Sequence, residues 1–500
     1  MERPQLRWPL AVAGIGVCLA ATACNRDATH QRPLRVAVHS DPISLDPHYQ
    51  NEILTFSILA NLYDGLTAFD SDLRVVPGLA VRWENPDELT WRLYLRTDAR
   101  FHDGRPVEAE DVVFTMERVR RSARSNTAGF LVEVDSVRAL DSHTLDIRTR
   151  RPFAGLLNKL AYLYIVPRDS PDHITTPVGS GSYRFVSFTR GESLKLEPAP
   201  SDWHKDRAEL PLEFLPIRDP QERARSLVDG KVDIVQDILP SQVRHVQASP
   251  GCRVTTRPST VVEYLHMRVG DPRFADRRVR EAIHLGLDRQ LLVERMLNGY
   301  GLPATQVVAS GVFGYDPTLP LPRRDLQTAR RLLAEAGFPD GFAVTLVFRS
   351  GRSGDELARQ LGEIGLKVTL ESAPWSEVFE RLKSQSIDFY FGGVAAPTAD
   401  ASDILDAFVH SRDLARGYGM TNFNGYASPE LDRIAEDSAI TRDMLIRRGL
   451  LQKGMRLIMQ DLYLVPLFVA YDLYGIRGDI DWEPHLDRML LGREMRRVNR

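Results

Sequence analysis

The sequence predicts an α/β protein built as two lobes. Two segments read strand, helix, strand. The first is LPLEFLPI, then DPQERARSLVDG, then KVDIVQ; the second is FAVTLVFRS, then GDELARQLGEIG, then LKVTLE. In each, a glycine (Gly230, Gly365) stands where a left-handed helix cap belongs. The units lie about 130 residues apart, and short helices of this kind return the chain by right-handed crossovers to parallel strands. Each unit therefore seeds its own sheet. Five hundred residues also exceed one compact core, so two or three domains are expected. Open α/β sheets bind ligands beyond their strand carboxyl ends, which makes a cleft between two such lobes a natural ligand site.

Ahead of the lobes, residues 1–23 read as an export signal. Arg3 and Arg7 give a basic start, WPLAVAGIGVCLA is apolar but too short for a comfortable membrane span, and small residues follow. Ala21-Thr22-Ala23-Cys24 resembles a bacterial lipoprotein cleavage box, with Ala21 where leucine is usual. The resemblance implies that Cys24 is lipidated and becomes the new N-terminus. Residues 24–32 are polar and suit a tether. With Cys18 in the signal and Cys24 lipidated, only Cys252 remains in the folded part, so no internal disulfide is possible. One unsupported thiol is expected to be inert.

Along the chain, LRVAVHS (34–40) alternates as a first strand, residues 51–63 have helical spacing, and WRLYLR (91–96) alternates again. VDSVRAL and HTLDIRTR flank Asp141-Ser142 as a hairpin, and SYRFVSF and SLKLEP flank Thr189–Glu192 as another, with Gly191 free to take a positive φ. Ser310–Asp325 is rich in Pro and Gly and predicts a long surface loop.

One stretch looks like chemistry. FHDGRPVEAEDVVFTMERV (101–119) crowds a histidine with acids. Asp103-Gly104 is a turn signal, however, and Pro106 precedes a helix whose first turn holds Glu108, Glu110 and Asp111, where acids favour the positive helix end. Val112, Val113, Met116 and Val119 form its apolar face, so the acids are accounted for as helix-starting residues. There is no His-Glu-x-x-His helix, no Cys-x-x-Cys pair, no phosphate loop and no Gly-x-Ser-x-Gly elbow, so neither a metal nor a cofactor is expected. Net charge is −3 and no basic tail appears, which sets nucleic acid aside. Paired carboxylates for sugar hydrolysis stay open, because sequence spacing does not reveal carboxyl separation.

Several ordered segments resemble one family. NLYDGLTAFDSDLRVVPGLAVRWENPDELTWRLYLRTDARFHDGRPVEAEDVVFTMERV resembles the signature region of the peptide/nickel-type (family 5) solute-binding proteins of bacterial ABC importers. PVGSGSY, DGKVDIV, FADRRVREAIHLGLDRQLLV and NFNGYASPELDRI are similar to later family segments, in the family's order. The resemblance implies a two-lobed periplasmic-binding-protein fold with an extra inserted domain (class C type). By analogy the first lobe takes residues 33–49, 178–264 and 480–500, the inserted domain 50–177 and the second lobe, usually called lobe III, 265–479. It further implies a monomeric lipoprotein that captures a peptide-like or other small polar solute, closes its lobes by hinge motion, and docks on an inner-membrane permease. A non-transport sensor, chaperone or adhesin on the same fold stays open, as does a secreted hydrolase.

Carried onto this chain, the family cleft implies ligand contacts from His39, Ser40, Arg268, Arg349, Trp375, Pro397 and Asn422. Many peptide-binding relatives hold a ligand amine with an aspartate shortly before an Asp-Pro-Asp-Asn-like stretch. If Asp400-Ala401-Ser402-Asp403 matches that stretch, the aspartate position falls near Pro397, and the carboxylate is missing or displaced. Arg268 stands where relatives usually have asparagine. Arg349 ends the strand FAVTLVFR, in a segment where some relatives bind a carboxylate. The expected ligand therefore carries an anionic group and does not depend on a free amine.

Overall fold

Ten strands form one large sheet, with alternating burial toward its edges and continuously buried runs at its centre. In chain order they are β1 (Leu34–Val38), β2 (Tyr183–Thr189), β3 (Ser193–Pro198), β4 (Leu212–Pro216), β5 (Ile234–Gln236), β6 (Cys252–Met267), β7 (Ala343–Arg349), β8 (Lys367–Ala373), β9 (Phe389–Ala395) and β10 (Leu464–Arg477). Their spatial order is β8-β7-β9-β6-β10-β5-β1-β4-β3-β2, and the short strand Gly301–Pro303 adds to β10 off this path. The computed structural model describes Met1 and residues 32–49, 52–200 and 203–498. The expected signal, Cys24 and the tether up to residue 31 lie outside the described residues.

Both strand–helix–strand units form, but not in the separate sheets expected of them: they lie in the two halves of one sheet, because β6 and β10 pair through both lobes. β4 and β5 run parallel to β1 on its two sides, joined through the helix Pro220–Val228. β7 pairs in parallel with β8 and β9, joined to β8 through the helix Asp355–Gly362. Gly230 and Gly365 both take positive φ, +69° and +105°. β2 and β3 form the expected hairpin, with Gly191 at φ +79°.

The two halves of the sheet are joined by β6 and β10, which pass through both lobes. They pair from Cys252↔Arg477 to Pro258↔Tyr471, then resume at Val262↔Val469. Ser259, Thr260 and Val261 thus stand opposite Ala470 alone. Pro258 has no N–H to donate, and a bulge here bends and twists the ribbon. The expected borders at 264–265 and 479–480 fall within β6 and just beyond β10.

A separate four-stranded antiparallel sheet, built from Ala80–Glu84, Thr90–Leu95, Val134–Asp141 and Thr144–Thr149, carries the inserted domain. Helix Ala109–Arg121 shares its core, with Val112, Met116 and Val119 against Leu93, Leu145 and Ile147. The helix begins as the sequence predicts: the Glu108 N–H donates to Asp111 Oδ2 at 2.9 Å, and the Arg168 N–H donates to Asp111 Oδ1 at 3.0 Å. Burial nevertheless raises the Asp111 carboxyl above its ordinary value.

His102 serves the scaffold. Its Nδ1 accepts from the Gly179 N–H at 3.2 Å, so Nε2–H donates to the Gly181 carbonyl at 3.0 Å. The glycines of PVGSGSY are there for close approach. A Cβ at Gly179 would sit 2.0 Å from the Leu62 carbonyl oxygen, and one at Gly181 2.5 Å from that of Asn61. The region Ser310–Asp325, predicted to be a surface loop, has no helix or strand. Its first half is nevertheless held inside the second lobe. Val312 joins a buried cluster with Val262, Val394 and Leu451. Gln306 bonds the Asp316 backbone through both ends of its amide, at 2.8 and 3.0 Å.

Gly179→Ala is expected to destabilise the fold by about 3 kcal/mol or more, because backbone must move to admit the methyl. Glu110→Gln is expected to cost only a few tenths of a kcal/mol, the share of a first-turn acid at an exposed helix start. Thermal or urea unfolding of the two variants checks both.

Candidate ligand-binding cleft

The register of the crossing strands places the cleft. β5 runs antiparallel to β10, with Gln236 opposite Tyr474, so the carboxyl ends of the first lobe's parallel strands point toward the bulge. β9 runs antiparallel to β6, with Ala395 opposite Val261, so those of the second lobe point toward the same bulge from the other side. The residues just past these strand ends face each other across the hinge.

On the first lobe, His39 follows β1 and Asp237 follows β5, and His39 Nδ1 lies 3.0 Å from Asp237 Oδ2. Arg488, from the C-terminal segment, pairs with Asp237 and places Nε 3.4 Å from Asp472 Oδ1 on β10. Asp237 and Arg488 both have left-handed backbones, φ 60° and 67°. Such a conformation costs energy for these residues and persists where surrounding contacts fix it. Burial works to raise the Asp237 carboxyl, but the His39 hydrogen bond and the Arg488 charge hold it below the ordinary value. Burial pushes Asp472 up to about 6, against the pull of Arg488. Ser40 turns its hydroxyl to the Asp41 carbonyl at 3.2 Å.

On the second lobe, Arg349 ends β7 and is exposed, with no side-chain partner among the described residues. Arg352, three residues on, forks onto Glu263 of β6, with Nη2 to Oε1 at 2.8 Å, and lies 5.3 Å from the Phe391 ring centre. Tyr390 of β9 packs edge-on to Tyr264, and burial raises its hydroxyl pKa. Trp375 follows β8, stands 47% exposed, and leans on Phe379 at 5.6 Å. Pro397 is exposed on the turn after β9.

Two expected contacts fall elsewhere. Arg268 follows the far end of β6, beside Asp388 at the amino end of β9, and its Nε donates to Asp388 Oδ1 at 2.8 Å. Six residues of strand, roughly 20 Å at the usual rise, separate that end from the cleft. Asn422 is buried and braces a loop, its Nδ2 donating to the carbonyls of His410 and Tyr426 at 2.9 and 2.8 Å, while its Oδ1 has no hydrogen-bond partner among the described residues.

The inserted domain closes one side. The Ala154 N–H donates to the Ala439 carbonyl at 2.8 Å, and Asn158 Nδ2 donates to the Thr398 carbonyl at 2.9 Å. A cavity of about 720 Å³ opens beside this seam, lined by Arg74, Asn158, Phe313, Tyr315 and Arg448 among others. Among the described residues, no group of three His, Cys, Asp or Glu side chains could hold a metal ion, and no helix is long and apolar enough to cross a membrane. Cys252 is a free, half-buried thiol.

Sequence reasoning missed Asp237, Glu263, Arg352, Asp472 and Arg488. Asp237 had a signal, since it follows a predicted strand's carboxyl end as His39 does. Arg488 had none, for only the fold brings it to Asp237.

Two α/β lobes with strand ends facing across a crossing ribbon define a two-lobed solute-binding protein. The family described as bacterial extracellular solute-binding proteins, family 5, middle region, matches residues 74–415, and the chain belongs to it. It is an extracytoplasmic solute-binding protein of a family defined by binding. The glutathione-binding protein GsiB of Pectobacterium atrosepticum is 26% identical over 480 residues, covering 91% of each chain. HbpA2 from Haemophilus parasuis superposes with a TM-score of 0.84 at 21% identity, covering 93% of this chain and 100% of that one. The periplasmic binding protein DppA from Helicobacter pylori, solved with the peptide STSA, gives 0.76 at 22%, covering 93% and 98%.

A solute held between the lobes is expected to take the exposed Trp375 out of water. Its emission is expected to move to shorter wavelength on binding, and Trp375→Phe is expected to abolish the shift. Fluorescence titration of both proteins checks this.

Proposed function

We propose that the protein captures a peptide-like or other small polar solute with an anionic group, closes on it, and delivers it to the permease of an ABC importer. The observation that carries the ligand class is Arg349. It sits at a strand end facing the cleft, exposed and without a partner among the described residues, whereas Arg352 beside it is already matched by Glu263. An arginine fork grips a carboxylate with two parallel hydrogen bonds, a geometry lysine cannot copy. The relatives named as glutathione-binding support the reading, because glutathione carries two carboxylates. His39, Ser40, Trp375 and Pro397 line the same cleft, joined by Asp237 and Arg488; Arg268 and Asn422 are left out of the proposed site. Pro397 at the loop position supports binding that does not depend on an amine-holding aspartate. Closure is hinge motion about the bulge at Pro258–Val262, driven by the ligand's greater affinity for the closed form.

Native mass spectrometry of gently purified protein identifies a copurifying ligand. That ligand is expected to be anionic, and Arg349→Ala is expected to weaken its binding by about 2 kcal/mol or more, since a ligand charge loses its partner. A neutral or cationic ligand bound equally by the variant contradicts the reading.

We further propose that Cys24 carries lipid and anchors the protein on the outer side of the membrane. A single acyl chain holds a protein only marginally, so the several chains of a lipoprotein are required. Cys24→Ser is expected to move the protein from the membrane to the soluble fraction, with loss of the lipid mass from its N-terminal peptide.

A further inference from the structure

The seam between the inserted domain and the second lobe holds more carboxylate than cation. Asp400, Asp403 and Asp406 follow one another at three-residue spacing along the turn that continues β9. Arg447, itself buried, neutralises Asp400, with Nη2 2.9 Å from Oδ1. Asp403 Oδ2 accepts the Thr398 N–H and hydroxyl, both at 2.8 Å. Asp406 Oδ1 is buried with no hydrogen-bond partner among the described residues. Lys159 and Arg151 face this row from the inserted domain. Arg151 is engaged by Glu133 at 2.7 Å and by the Tyr418 hydroxyl, while Lys159 lies 5.0 Å from the Phe153 ring centre. Behind Tyr418, His410 stacks at 4.2 Å and faces Glu436 at 3.1 Å, and Glu436 also pairs with Arg416 at 2.9 Å. Four carboxylates (Asp400, Asp403, Asp406 and Glu133) therefore meet three cations (Arg447, Arg151 and Lys159).

We propose that closing this seam takes up one proton, shared between Asp403 and Asp406, so that the closed protein is favoured at mildly acid pH and opens as the pH rises. The inference rests on the lobe-closure reading above. In the open protein the carboxyls return to water and ionise at their ordinary value. In the closed protein Asp400 and the Oδ1 of Asp406 are buried and Asp403 and Asp406 as a whole are half-buried, so a surplus negative charge is partly desolvated, and the proton removes it. Burial pushes Asp403 up to about 6 and Asp406 up to about 7, with Lys159 pulling the other way in both cases. The acid's closed-state value thus lies above its open-state value. The proton's contribution to closure is full below the ordinary carboxyl value of 3.8, is lost as the pH rises toward about 7, and changes no further above that. One proton gives a closing equilibrium that weakens by up to about tenfold per pH unit across that window. For an extracytoplasmic protein, solute would then be held more tightly where protons are concentrated.

Small-angle scattering of the full mature chain, without added ligand, tests this at about pH 5 and pH 7.5. An Ala154→Cys/Ala439→Cys variant, oxidised across the seam, supplies the closed reference. The wild-type radius is expected near the reference at the lower pH and larger at the higher. Asp406→Asn, which cannot ionise, is expected to stay near the reference at both. A wild-type radius independent of pH, or an Asp406→Asn variant that follows the wild type, overturns the proposal. If the double-cysteine variant has one radius whether oxidised or reduced, and wild type matches it throughout, the lobes do not move, and lobe closure itself fails along with the proton linkage.

Discussion

The rest of the structure depends on two strands that belong to both lobes at once. β6 and β10 pair on either side of a bulge, and each lobe hangs its remaining strands on its own half of that ribbon. Because the strands of the two lobes run antiparallel to the ribbon from opposite ends, their carboxyl ends converge at the bulge. The place where pairing is interrupted is therefore also the place where ligand chemistry collects. Three residues opposite one interrupt and bend the ladder there, and the closure proposed above pivots about that point.

Charge is handled differently inside the lobes and between them. Within the scaffold, buried cations are held either by an acid or, as with Arg223 and Arg280, by backbone carbonyls. Arg118 meets Asp46 and His48 beneath the inserted domain, and Arg447 meets Asp400 in the second lobe. Removing one partner of such a pair leaves a buried charge uncompensated, so these residues tolerate little change. At the cleft and its seam the matching is incomplete: Arg349 is unpartnered among the described residues, Asp472 is held up by burial, and Asp406 has an oxygen without a donor. These unmatched groups lie at the cleft and its seam, beside matched pairs such as Arg352–Glu263 and Arg488–Asp237.

Much of the fold was legible in sequence, because alternation, helix caps and turn glycines are local. The two strand–helix–strand units, both hairpins and the helix after Pro106 all follow from residues within a few positions of each other. The role of His102 was legible in part. Its acids read as helix-starting residues, but its grip on Gly179 and Gly181 joins segments far apart in the chain. The loop Ser310–Asp325 looked superficial because proline and glycine mark irregular backbone, and irregular backbone can still be buried when a side chain such as Gln306 satisfies it. The cleft was the least legible. A strand end can be read from sequence, but which strand ends share a ribbon cannot. Arg349 and Arg268 looked alike as isolated cations until their opposite positions on the sheet separated them.

The place of β10 in the sheet has a consequence for how the protein is made. Leu464–Arg477 is synthesised long after β1 (Leu34–Val38), yet it lies between β5 and β6 and completes the first lobe. Such distant pairing is slow to form and leaves strand edges bare until it does. A chain released before Leu464–Arg477 is made would present an unfinished edge that invites aggregation or proteolysis. For an extracytoplasmic chain that crosses a membrane unfolded, the same delay is a gain, since the first lobe cannot lock until β10 has also crossed.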